Sequence, residues 1–128
     1  MAPLFPVSVK AVVRREDKVI LLKNERDEWE LPGGRLESAE TPEQAVAREL
    51  EEELGAIIQV GNLIDAWVYH VAGKDVLILT YAARIKNDPA TFEVSHEHRD
   101  MRWFAIDELD SLNLPDGYRR SIAQAASA

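Results

Sequence analysis

Between residues 37 and 53 stand seven glutamates, Glu37, Glu40, Glu43, Glu49, Glu51, Glu52 and Glu53, with one base, Arg48, among them. This short stretch carries −6 of the chain's net charge of −8, so the rest is close to neutral. A charge run taken alone is usually a solvated helix face. Like charge gathered at the C-terminal end of a helix, however, works against the helix dipole, which prefers cations there. Divalent cations bound through carboxylate oxygen are the evident compensation. Directly upstream, Pro32-Gly33-Gly34 supplies a backbone free to take angles and close approaches that side chains forbid.

Elements must hold these groups in place, and the local signals for them are clear. Thr41 is a suitable N-cap, Pro42 fits the first helical position, and Gln44 completes a capping box. Gly55 supplies the stop. Within that helix Val46, Leu50 and Leu54, with Ala47 beside them, recur at core-facing spacing. At 100° per residue Glu49, Glu52 and Glu53 fall on the flank of this stripe, and Glu51 points elsewhere. Upstream, Val7 to Arg14 alternates as a strand with one buried face, and Lys18 to Lys23 pairs with it as a hairpin. Trp29-Glu30-Leu31 leads into the glycine loop. Downstream, Ile57 to Val71 and Asp75 to Ile85 read as two strands joined at Ala72-Gly73-Lys74, with Gly61 a bulge or break. Met101 to Ile106 reads as a further strand. Asp107 caps a short turn through Leu112, and the tail from Asp116 to about Ala126 is helical, with Tyr118, Ile122 and Ala125 on one face.

Composition bounds what such a chain can do. Its 128 residues, 46% of them hydrophobic, suit one domain spanning 1–128 with a real core. Cysteine is absent, which excludes disulfides and thiolate metal sites and leaves oxygen or imidazole as ligands. No run approaches the roughly 18 apolar residues of a membrane span, and the N-terminus lacks signal-peptide character, so the expectation is a cytoplasmic protein. The acidic balance argues against nucleic acid as a partner, because phosphate contacts along a strand need clustered Lys and Arg. A small phosphate compound bridged by metal stays compatible.

Spacing then sharpens the reading. Gly34, Glu40, Arg48, Glu49, Leu50, Glu52, Glu53 and Gly55 satisfy the pattern Gly, five residues, Glu, seven residues, Arg-Glu, apolar, any, Glu-Glu, any, Gly. With seven fixed residues at about 7% frequency each, roughly one random window in 10⁸ matches. This segment, 34–56, resembles the Nudix box of the Nudix (MutT-like) hydrolases. One departure follows Gly55: the family prefers a larger aliphatic residue where Ala56 stands, and Ile57 is expected to fill that space.

The resemblance implies the Nudix fold, an α/β/α sandwich with a mixed sheet. It implies hydrolysis of a nucleoside diphosphate linked to another group, dependent on Mg²⁺ or Mn²⁺, by water attack on phosphorus. It implies Glu49, Glu52 and Glu53 as metal ligands, joined by the Gly33 carbonyl, with Arg48 orienting and partly neutralising them and Glu40 steadying the loop. The general base is either a box glutamate or a later one, with Glu97 the best placed and Glu93 second. Trp29 and Gly34 are candidate substrate contacts, although packing is an equal role for Trp29. His70, His96 and His98 read as structural or exposed. The competing reading is a Nudix-fold module that binds a nucleotide without cleaving it, and the intact carboxylate set weighs against it. The box is common to enzymes acting on nucleoside triphosphates, ADP-ribose and other substrates. A homodimer is a state often met in the family that no residue here decides.

Overall fold

Val7–Arg15 (β1) is the strand on which the chain is assembled in the computed structural model, which describes residues 4–94 and 100–127. Lys18–Lys23 (β2) folds back on it, but the two pair only at Arg14↔Val19 and Arg15↔Lys18 before they diverge. Beyond that point β2 is flanked by the short Trp29–Glu30 (β3) and by Asp100–Ala105 (β7), both antiparallel. On its own edges β1 takes Gly33–Arg35 (β4) antiparallel and Lys74–Ile85 (β6) parallel, and Ile58–Val71 (β5) closes the outer side of β6. The sheet is therefore mixed.

Two helices cover its faces. Pro42–Leu54 (α1) packs Ala45, Val46, Leu50 and Leu54 against Val9, Ala11, Val13, Ile20 and Leu22. Asp116–Ser127 (α2) lays Tyr118 and Ile122 on Val12, Leu21, Leu31 and Ile78 of the opposite face. The result is the α/β/α layering that the resemblance implied. It also corrects the expectation of one buried face for β1: Ser8 through Val13 are all buried, because a central strand is covered by helices on both sides. Among the described residues no helix is long and apolar enough to cross a membrane.

The caps of α1 fall where the sequence put them. Thr41 Oγ1 accepts from the Gln44 amide at 3.1 Å, and the Gln44 side chain accepts from the Thr41 amide at 2.9 Å. Gly55 ends the helix in the left-handed conformation, φ 68°. Its neighbours differ from expectation. Ala45, not Ala47, is the fully buried alanine, and Ala56 itself enters the core while Ile57 points outward, 42% exposed. A smaller residue thus occupies the position after Gly55 directly. The turn after β7 begins at Ile106, and Glu108 caps it by accepting from the Ala105 amide, so Asp107 is not its cap.

Irregularity in β5 also has a structural effect. Its register with β6 shifts between Val60 and Leu63 and again before Asp65, next to Gly61. Each slip exchanges the faces of a strand. The first slip puts Ile64 beneath α2, although Ile58 and Val60, at the same parity, pack on the α1 side; the second restores the original alternation, so Trp67, Tyr69 and Val71 also pack beneath α2.

Candidate active site

The glycine pair, expected as loop, forms β4, and its bareness makes the site. Lys10↔Gly33 and Val9↔Gly34 are cross-strand partners. A Cβ on Gly33 would fall 1.9 Å from the Val9 carbonyl oxygen, and its φ of +145° favours glycine in any case. The close approach lets the Gly33 amide donate to Glu53 Oε1 at 2.7 Å, inside the protein. Glu53 is consequently buried, 3% exposed, whereas Glu43, Glu51 and Glu52 of the same helix are exposed. A buried carboxylate needs such donors. Gly34 leaves room for Glu49: a Cβ there would meet the Glu49 carboxylate at 2.4 Å. Two box carboxylates therefore occupy space that side chains on β4 would take.

Arg48 gathers the rest. Its Nε and Nη2 donate to the two oxygens of Glu40 at 3.1 and 2.7 Å, the bidentate geometry that suits a guanidinium. Nη1 donates to Glu49 at 2.9 Å and to Glu52 at 3.3 Å, and Nη2 also reaches the Arg35 carbonyl at 3.1 Å. Glu40 in turn accepts from the Glu37 amide at 2.9 Å. These hydrogen bonds, Arg48's first and the Glu37 amide's second, hold the Glu40 carboxyl below its ordinary range. Arg48 is pushed above its ordinary value, chiefly by its hydrogen bonds to Glu40, against the opposing effect of burial, and also by Glu49. The i,i+4 pair with Glu52 is thus one contact of several.

The donor set suits a hard divalent ion that keeps waters. Among the described residues no three carboxylate or imidazole side chains converge into a ready-made cage. Magnesium does not need one, since one or two carboxylates with retained waters serve it. Glu49 and Glu53 sit against adjacent glycines, and Glu52 is tied to Glu49 through one Arg48 nitrogen, its own side chain 61% exposed. This is oxygen chemistry at a solvent-facing edge, and it fits.

Other candidates lie elsewhere. Trp29 is buried, its ring edge-on to Phe104 with a centroid separation of 4.8 Å and the cations of Lys23 and Arg102 over it. Of the two roles considered for it, those contacts supply packing, and Trp29 lies in a strand, not on the loop edge where it was expected. Glu93 is exposed, and its amide donates to the Leu54 carbonyl at the end of α1. His70 is exposed and bonded to Asp75 beside the β5–β6 turn. Glu97, His96 and His98 lie outside the described residues. What the sequence did not reveal is Lys10: it faces α2 from the middle of β1, buried, with Nζ 3.2 Å from Glu30. Nothing in a lysine on an alternating strand distinguishes it from an outward one.

A family model for the NUDIX domain matches residues 4–125. The chain belongs to the NUDIX domain family. Among similar proteins, a MutT-like protein of Streptomyces ambofaciens is 39% identical over 109 residues, 84% of this chain and 68% of that protein. The CTP pyrophosphohydrolase of Escherichia coli K12 is 31% identical over 105 residues, 78% of this chain and 76% of that one. A solved NUDIX hydrolase from Nitrosomonas europaea superposes with a TM-score of 0.84 at 25% identity, covering 97% of this chain and 90% of that one. The chain is a Nudix hydrolase, and the fold described above is that of the family.

Proposed function

We propose that this Nudix hydrolase is a Mg²⁺- or Mn²⁺-dependent pyrophosphohydrolase that cleaves a nucleoside diphosphate linked to a further group, by water attack on phosphorus. The observation that carries the reading is the Arg48 guanidinium holding Glu40, Glu49 and Glu52 together while the Gly33 amide pins Glu53. Glu49, Glu52 and Glu53, with the Gly33 carbonyl, would hold the ion. A bound divalent ion neutralises phosphate oxygens and lowers the pKa of coordinated water. Arg48 keeps Glu49 and Glu52 aimed to one side of α1, and Glu40 keeps Arg48 in place. Proton removal from the water falls to a box glutamate or to Glu93 or Glu97.

The names of its relatives support a nucleotide substrate: one is a CTP pyrophosphohydrolase, and an ADP-ribose pyrophosphatase from Methanocaldococcus jannaschii is 35% identical over 65 residues. A mononucleotide or a nucleotide sugar suits the charge of −8 better than an RNA end does. Replacing Glu52 and Glu53 together by Gln is expected to lower kcat at least a hundredfold on the best compound of a nucleotide screen, with circular dichroism unchanged. It also removes saturable Mn²⁺ binding followed by electron paramagnetic resonance. Full turnover in that variant would sink the metal assignment. Saturable nucleotide binding without turnover of any compound by the unmodified protein would favour a non-catalytic module instead.

A further inference from the structure

We infer that Lys10 is a positioning residue for the metal-binding end of the box, acting through the 30–33 segment that it clamps from inside the protein. The inference rests on the reading that the box glutamates hold the metal.

β1 grips that segment at three places. Lys10 Nζ pairs with Glu30 Oε2 at 3.2 Å, the Ala11 amide donates to the Pro32 carbonyl at 3.0 Å, and Lys10 stands opposite Gly33 in the β1–β4 register. The last contact is so close that a Cβ on Gly33 would lie 2.8 Å from the Lys10 Cα. Gly33 is the residue whose amide fixes Glu53. The chain of contact therefore runs from the Lys10 ammonium to Glu30, along three peptide units to Gly33, and across to the buried carboxylate. Both side chains of the ion pair are removed from water, 7% and 13% exposed, and the Tyr118 ring lies 5.9 Å from Nζ.

Stability alone gives little reason for this pair. Desolvating two charges costs about as much as their attraction returns, and apolar replacements of both partners are often neutral or stabilising. A geometric role explains it better: a buried ionic contact fixes where Glu30 sits, and so where the strand after it begins. Glu53 also lies within electrostatic reach of the ammonium, which holds its proton more firmly than an ordinary lysine although burial opposes this. Outer contacts that orient metal-ligating groups commonly carry tenfold to hundredfold effects on affinity.

The decisive variant is Lys10→Met combined with Glu30→Leu, which removes one charge of each sign and leaves the net charge of the protein unchanged. Its thermal midpoint is expected at or above that of the unmodified protein. Mn²⁺ affinity, read by electron paramagnetic resonance, should fall about tenfold, and the Gly33 amide should exchange with solvent at least tenfold faster. Lys10→Arg, which retains the pairing, should restore most of both. Glu30→Asp keeps both charges but withdraws the carboxylate by one methylene, and serves if the double variant does not fold; the same two readouts should move in the same direction. Unchanged Mn²⁺ affinity and unchanged Gly33 exchange in either folded variant would overturn the inference. Loss of the underlying metal reading would look different, because Mn²⁺ binding would then survive Gln at positions 52 and 53.

Discussion

At the scale of single residues, the site depends on atoms that are missing as much as on those present. Glu49 and Glu53 approach β4 because positions 33 and 34 carry no side chain. Gly34→Ala is therefore expected to act on the carboxylate and not on the fold, since the backbone at 34 needs no left-handed angle whereas Gly33 does. The added methyl, 2.4 Å from the Glu49 carboxylate, must push it away from Gly34. Activity should fall at least tenfold, with the metal concentration for half-activation rising, while the urea midpoint moves little. A Gly34→Ala enzyme with wild-type metal dependence would show that Glu49 need not lie where it does.

Elements raise a contest between propensity and packing, and α2 displays it best. Gly117 lies in the first turn of that helix, where alanine would ordinarily gain about 1 kcal/mol of helix stability. Here the gain is overruled. A Cβ on Gly117 would sit 2.3 Å from the Trp67 ring, and that ring is boxed in by Tyr69 and Tyr118 at centroid separations of 5.2 Å each, with Arg120 over it. Overpacking of this kind costs about 1–3 kcal/mol. Gly117→Ala is expected to lower the urea midpoint, and a raised midpoint would mean that Trp67 has room to move. The same helix is tied at its middle by Ser121, whose hydroxyl donates to Asp65 at 2.8 Å, so the α2 register on β5 is set by polar and apolar contacts together.

For the molecule as a whole, the layer beneath α2 fixes the response to alkali. Burial pushes the Tyr118 hydroxyl up to about 12, from an ordinary value of 10.0; the charge of Lys10 opposes this and that of Glu30 adds to it. The unfolded chain thus loses this proton from about pH 10, and the folded one keeps it until about pH 12. Over that window the unfolded state binds fewer protons, so stability falls as pH rises. Lys10, also raised, adds to the fall with the same sign. Tyr118→Phe should flatten the decline between pH 10 and 11.5 in urea denaturation without abolishing it. An undiminished slope would locate the alkaline sensitivity elsewhere.

The sequence by itself determined the helix, its caps, the family and the row of glutamates on one flank, because each of these depends on spacings within about twenty residues. Thr41, Pro42, Gln44 and Gly55 act on their own neighbours, and a helix of 3.6 residues per turn places Glu49, Glu52 and Glu53 together wherever it lies. What the tertiary structure decided is which of those carboxylates is buried, what the glycines make room for, and where Trp29 and Lys10 point. Those outcomes turn on β4 and β6 flanking β1 and on two helices covering it. Contacts such as Gly33 to Glu53 or Lys10 to Glu30 join different elements, so they follow from how strands and α1 pack and from no periodicity along the chain. Burial is a property of the assembled layers: the alternation in β1 is plain in the sequence, but whether its polar side meets water or a second helix is settled only when α2 docks.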